Sequence, residues 1–181
     1  MQFSAFSYLA SAIAATLGVS IESVLVDISN IKRQVTNLDS AINAYTRGCG
    51  ATDSAIGIHH CAEDARTAII KTIKDVKTIP APVTVSDGLR VLNSINSLKP
   101  HVLDALRTVI AKKPIFESLD RKSIMTFIIE DLVELNLTTT TLEDVLISRA
   151  PPELLEEAKA IKAEIDNAFT IALAAYNWKA E

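Results

Sequence analysis

Apolar residues recur at steps of three and four along most of this chain, the period of a helix face rather than of a strand. The run from Ser86 to Leu119 shows it most fully, on Leu89, Leu92, Ile95, Leu98, Val102, Leu106, Val109 and Ile110. Val91, Leu103 and Ile115 widen the stripe beyond a coiled-coil seam, as a central helix in a bundle needs. Pro100 falls inside the run. A proline removes one backbone donor and biases Lys99 away from helical angles, so a kink or break is expected there. Lys113-Pro114 marks a second bend or end.

The same period predicts helices on either side. A first helix spans about Ile21 to Thr46 on Val24, Ile28, Ile31, Val35, Leu38, Ile42 and Tyr45, with Asp27, Lys32, Arg33, Gln34 and Asp39 on its polar face. Gly48-Cys49-Gly50 ends it, and Thr52 or Asp53 caps a second helix that runs to about Ile79, before Pro80-Ala81-Pro82. Thr84 or Ser86 caps the central run. Asp120 or Ser123 starts a fourth helix on Ile124, Phe127, Ile128, Leu132 and Leu135, continuing through Leu142, Val145 and Leu146. Thr138 to Thr141 interrupt that stripe with four β-branched residues, each lowering helix propensity by a few tenths of a kcal/mol. Pro151-Pro152 opens a last helix on Leu155, Ala158, Ile161, Ile165, Phe169, Ala172 and Tyr176, with Glu153, Glu156 and Glu157 near its positive end. Short connections predict antiparallel neighbours. The pattern is therefore all-α: a single antiparallel bundle of about five helices over residues 21–181, with proline-broken segments and no second domain.

Residues 1–20 differ from the rest. They carry no charged side chain and are rich in Ala, Ser, Leu and Phe. This is the pattern of a secretory signal peptide, with small residues for cleavage between about 14 and 20, at Ala12-Ile13-Ala14 or Gly18-Val19-Ser20. An amphipathic first helix would need a charged face, which Phe3 to Leu17 lack. No stretch after residue 20 runs eighteen residues without charge, so no transmembrane segment is expected. The formal charge of −4 argues against nucleic acid as a partner, because phosphate binding needs a basic surface.

Several stretches resemble the fungal hydrophobic surface-binding protein A family, which includes the antigenic cell-wall galactomannoproteins. They are Asp27-Ile28-Ser29 with Leu38 to Tyr45; Leu98-Lys99-Pro100-His101-Val102 with Leu106, Ala111-Lys112-Lys113 and Phe116; and Ala150-Pro151 with Ile165-Asp166-Asn167-Ala168-Phe169 and Ala174-Ala175-Tyr176. The resemblance lies in the ordered set, which covers nearly the whole chain after residue 20. It implies a secreted helical bundle that adsorbs to hydrophobic surfaces, recruits an esterase such as cutinase, and encloses fatty acids in a central apolar cavity. The two cysteines, Cys49 and Cys61, are not part of the family pattern.

The residues themselves offer few chemical sites. Cys49 and Cys61 form a candidate disulfide, since an even pair in a secreted chain points to a bridge. His59, His60, Cys61 and Glu63 have metal-ligand types, but only His59 and Glu63 share a helix face, so no metal is expected. Asn136-Leu137-Thr138 is a glycosylation sequon within a predicted helix. Lys71, Lys74 and Lys77 line one helix edge as candidate partners for a lipid carboxylate, against a plain solvated face. Ser94, Ser97, Thr138 and Thr139 are alternatives, each also able to bond its own helix. No nucleophile elbow or phosphate-cradling glycine loop is present, which argues against an enzyme, and no cofactor is implied.

The leading functional expectation is a secreted, non-enzymatic lipid carrier. A core of Ile, Leu, Val and Ala with few aromatics can leave a cavity or pack fully. Its expected lining is Leu92, Ile95, Val102 and Leu106 on the central run, with Phe127, Leu132, Ile165 and Phe169 from the later helices. The alternative is an adaptor that adsorbs to apolar solids and recruits an esterase, which requires exposed apolar surface. A third reading, an inhibitor of a plant wall enzyme, ranks lower because those proteins carry four bridged cysteines.

Overall fold

Among the described residues the computed structural model has five α-helices, α1 (Ile21–Ala44), α2 (Ala51–Thr78), α3 (Val85–Glu117), α4 (Lys122–Arg149) and α5 (Leu155–Ala175), with a 3-10 turn at Pro152–Leu154 before α5. It describes residues 19–46, 51–118 and 122–178. The expected signal peptide, apart from its last residues, and Cys49 lie outside the described residues.

Local chemistry sets the described helix starts. Ser20 caps α1 through a reciprocal pair with Ser23. The Thr84 hydroxyl accepts from the Asp87 backbone N–H at 3.1 Å and begins α3. α2 begins at Ala51, so Thr52 and Asp53 lie inside it rather than capping it. α4 begins at Lys122, which places Ser123 inside the helix.

Of the kink or break expected at the prolines of α3, the break does not occur. α3 is helical from Val85 to Glu117, a run of 33 residues that includes both Pro100 and Pro114. A proline inside a helix costs about 3 kcal/mol. Both prolines are exposed. The opposite face buries Leu92, Leu98, Leu106, Val109 and Phe116, at about 1.5–3 kcal/mol for each large side chain. Packing on that face outweighs the local penalty. α4 likewise continues through its threonines. Thr138 and Thr141 donate to the carbonyls of Glu134 and Leu137, each at 2.8 Å, so their hydroxyls stay within the helix.

The helices close into a ring in the spatial order α1, α3, α5, α4, α2, each packed on the next. Side-chain pairs give the directions. Glu22 meets Arg90, Lys32 meets Ser97 and Lys112 meets the Asn43 carbonyl, so α1 and α3 run parallel. His59 with Asp131 and Arg149 with the Lys77 carbonyl make α2 and α4 parallel. Asn96 with Glu157 and Val109 with Tyr176 do the same for α3 and α5. Consecutive helices do alternate in direction, as short connections dictate. Yet only α1 with α2 and α4 with α5 pack side by side as antiparallel neighbours, and α2 does not pack on α3 at all.

The core has two packed clusters. One contains Ile42, Tyr45, Phe116, Leu132 and Phe169, the other Val24, Ile28, Ile73, Val76 and Leu142. Ile95, Val102 and Leu135 pack against both.

Candidate functional site

Five long helices standing around an axis do not fill it when the facing side chains are small or branched. Ala62, Ala65 and Ala105 sit on the inner faces of α2 and α3, and two cavities adjoin along the axis. The first encloses about 110 Å³ and the second about 80 Å³. Ile95, Glu143 and Leu146 belong to both walls and mark the junction. The lining extends along α1 from Ile21 to Ile42, about 30 Å of helix axis.

Ile95, Val102, Leu106, Leu132, Ile165 and Phe169 face the first cavity, and Leu92 with Ile95 faces the second. Phe127 lines neither of these two cavities and faces a small pocket beside the first, with Ile58, Ile128 and Asp131. It is 40% exposed, and its ring stacks on His59 with centroids 5.3 Å apart. The inner row of α4 is Ile124, Ile128 and Leu132, all buried. Phe127 falls one row to the side, on the flank facing α2.

The walls are almost wholly apolar. The polar members are Asp131, Thr139 and Glu143 in the first cavity, and Glu143, Arg149 and Lys162 in the second. Glu143 is 9% exposed. Burial raises its pKa to about 7, with the Lys162 ammonium opposing the rise and Asp166 adding to it. Lys162 Nζ lies 3.3 Å from Oε2 of Glu143, 3.1 Å from Asp166 and 3.5 Å from Asp144. Oε1 of Glu143 is buried and has no hydrogen-bond partner. Asp131 is raised to about 6 by burial, against the lowering effect of its hydrogen bond with His59. His59 Nδ1 lies 2.8 and 3.1 Å from its two oxygens.

Sequence reading passed over Glu143. The available signal was a carboxylate between Leu142 and Leu146 on an otherwise apolar face. Thr139 was named, and it does face the first cavity. Lys71, Lys74 and Lys77 are exposed on the outside of α2, not at a cavity. Lys71 instead bonds Asp27 at 2.6 Å and Asp75 at 2.8 Å. Asp27, expected on the polar face of α1, is 6% exposed. Ser97 accepts from Lys32 on the outer side, and Thr138 bonds its own backbone.

The remaining candidates stay apart from the cavities. His59 and His60 lie 3.9 and 3.6 Å from Glu63, and no group of three or more metal-type ligands occurs among the described residues. Cys61 is half-buried against the core, and burial raises its thiol pKa. Asn136 is half-buried on α4. No helix among the described residues is long and apolar enough to cross a membrane.

Known proteins share this architecture. Residues 21–148 match the family described as hydrophobic surface binding protein A. A solved structure of Afmp4p in complex with palmitic acid is 25% identical, with a TM-score of 0.80 over 87% of this chain and 99% of that chain. Ligand binding domain 1 of the Penicillium marneffei MP1 protein, complexed with arachidonic acids, is 16% identical, with a TM-score of 0.75 over 87% of this chain and 97% of that one. Ligand binding domain 2 of the same protein, complexed with multiple arachidonic acids, is 14% identical, with a TM-score of 0.77 over 90% and 99%. The two MP1 domains establish likeness of fold alone. No curated protein sequence matches the chain.

Proposed function

The chain belongs to the hydrophobic surface binding protein A family, and on that premise we propose that it is a secreted, non-enzymatic carrier that encloses a fatty acid along its axis. The observation that carries the reading is the pair of adjoining apolar cavities inside the helical ring. An apolar cavity binds apolar ligands by sparing both from water. The inner faces extend about 30 Å along the axis, longer than an extended palmitoyl chain. The similar Afmp4p structure contains palmitic acid, which supports the same ligand class here.

The test is calorimetric titration with palmitic acid, beside an Ala65→Trp variant. Ala65 is fully buried on the first cavity wall, so an indole there occupies ligand space. Saturable binding by the native chain, lost in a folded Ala65→Trp protein, is the expected result. No saturable binding by the native chain would contradict it.

The family description, hydrophobic surface binding protein A, favours a second activity, adsorption to apolar solids; a secreted esterase recruited to that surface is part of the same proposal. Val26, Leu137 and Ile171 are 68%, 60% and 53% exposed and supply apolar contact on three different helices. Retention on hydrophobic beads, reduced when all three become Ser, is the expected outcome. Undiminished retention would count against it. Secretion rests on the leader at residues 1–20 and is checked by recovering the protein from culture medium with that segment removed.

A further inference from the structure

Three buried carboxylate oxygens have no hydrogen-bond partner among the described residues: Oδ2 of Asp27, Oδ1 of Asp39 and Oε1 of Glu143. Of the three residues, only Glu143 lines a cavity, and it lines both. An unpartnered polar atom at such a depth is costly unless something occupies it. Its partner oxygen is 3.3 Å from Lys162 Nζ, so a cation already stands on the far side of the carboxyl. The position also divides the axis, with an apolar chamber on either side.

We propose that Glu143 is the internal anchor for the acidic end of the ligand: its carboxyl and the ligand's carboxyl share one proton in a short acid–carboxylate hydrogen bond, beside Lys162. The inference rests on the carrier reading and assigns the headgroup within that same site. The apolar tail then lies in the first cavity, the larger of the two by volume. The balance of charge is simple. The pair carries one proton and one negative charge, which Lys162 faces. A second negative charge would be repelled in the apolar wall.

The charged groups around Glu143 bear this out. From α5, Lys162 and Asp166 act on it. On α4 itself, Asp144 pairs with Lys162, and Arg149 and Asp131 are the other charged members of the cavity walls. Arg149 donates to the Lys77 carbonyl through one terminal nitrogen while its buried Nε has no partner, at the wall of the second cavity, and Asp131 is engaged by His59. The residues that α1, α2 and α3 contribute to the two walls carry no charge.

Proton counting gives the test. A free fatty acid titrates as an ordinary carboxyl, at about 4.3, and so is ionised at neutral pH. Glu143 holds its proton up to about pH 7. Between those values binding needs no further proton. Above about pH 7, forming the pair must take one proton from water, so affinity falls about tenfold per pH unit.

The experiment measures palmitic acid affinity from pH 5.5 to 9, with methyl palmitate as an uncharged probe, for the native chain, Glu143→Gln and Glu143→Leu. The native chain is expected to bind palmitic acid with the alkaline fall and to take up a proton near the top of the range, read from calorimetry in buffers of different ionisation enthalpy. Glu143→Gln keeps a donor and loses both the fall and the proton uptake. Glu143→Leu binds palmitic acid at least tenfold more weakly at pH 6, a larger loss than it shows for methyl palmitate, and its methyl palmitate affinity is flat with pH. Native binding that is flat with pH and unaffected by either substitution overturns the anchor and leaves the carrier reading standing. Failure of the native chain to bind either probe at any pH removes the carrier reading, and the anchor with it.

Discussion

The hydroxyl of Tyr176 donates to the backbone carbonyl of Val109 at 2.8 Å, tying the C-terminal end of α5 to the later part of α3. The pair is buried, and burial pushes the Tyr176 hydroxyl well above its ordinary pKa. Tyr176→Phe removes the donor and little volume. Stability to denaturant should fall by about 1 kcal/mol. An unchanged midpoint would mean that the bond contributes nothing net.

Two carboxyls, the buried Glu143 and the half-buried Asp131, give stability a pH dependence. Burial raises Asp131 to about 6 and Glu143 to about 7 in the folded chain. Unfolded, they titrate at about 3.9 and 4.3. Between those limits the folded chain binds more protons, so its stability falls as pH rises. The penalty is full above about pH 7 and is relieved as pH drops toward the unfolded values of about 4. Glu143→Gln should remove about 2 kcal/mol of that variation. Denaturant curves at pH 5 and pH 8 for both proteins check the sign; a native chain more stable at pH 8 contradicts it.

Gly57 and Gly88 both lie within helices, and the same substitution should act in opposite directions. A Cβ at Gly57 meets nothing within 4 Å. Gly57→Ala should therefore add up to about 1 kcal/mol. A Cβ at Gly88 would fall 2.8 Å from Leu154 Cδ1 and 2.9 Å from Pro151 Cδ. There α3 presses on the turn before α5, and Gly88→Ala should cost about 1–3 kcal/mol. Thermal midpoints that move the same way for both would contradict this account.

Pro100 lies exposed in α3 without ending it. Pro100→Ala restores an N–H for the Asn96 carbonyl and removes the ring clash. Some of that gain is offset by a freer unfolded chain. A net stabilisation of about 1–2 kcal/mol is expected, read from equilibrium unfolding. Destabilisation would show that the ring is part of the packing.

Much of the fold was legible because long amphipathic helices announce themselves by period. Val24 to Ile42 on α1 and Ile161 to Phe169 on α5 are buried at the expected positions. The misreadings have local causes. Pro100 and Pro114 promise breaks by backbone rules alone, and the burial of Leu98, Leu106 and Phe116 overrides them. Asp27 reads as solvated from its charge, yet Lys71 reaches over it from α2. Helix adjacency was hidden because direction follows from short connections, whereas the order around the ring depends on which faces fit. The cavity lining was half-legible for the same reason. Ile95, Val102 and Leu132 are forced inward by period, whereas Phe127 and Asp131 sit on a row whose fate depends on where α2 lies.

The central claim is that this helical ring holds a fatty acid along its axis. Native mass spectrometry after incubation with palmitic acid tests it most directly. A discrete adduct of one fatty acid mass, absent from a folded Ala65→Trp protein, is the result the account predicts. A spectrum of unliganded protein at every palmitic acid concentration would contradict it.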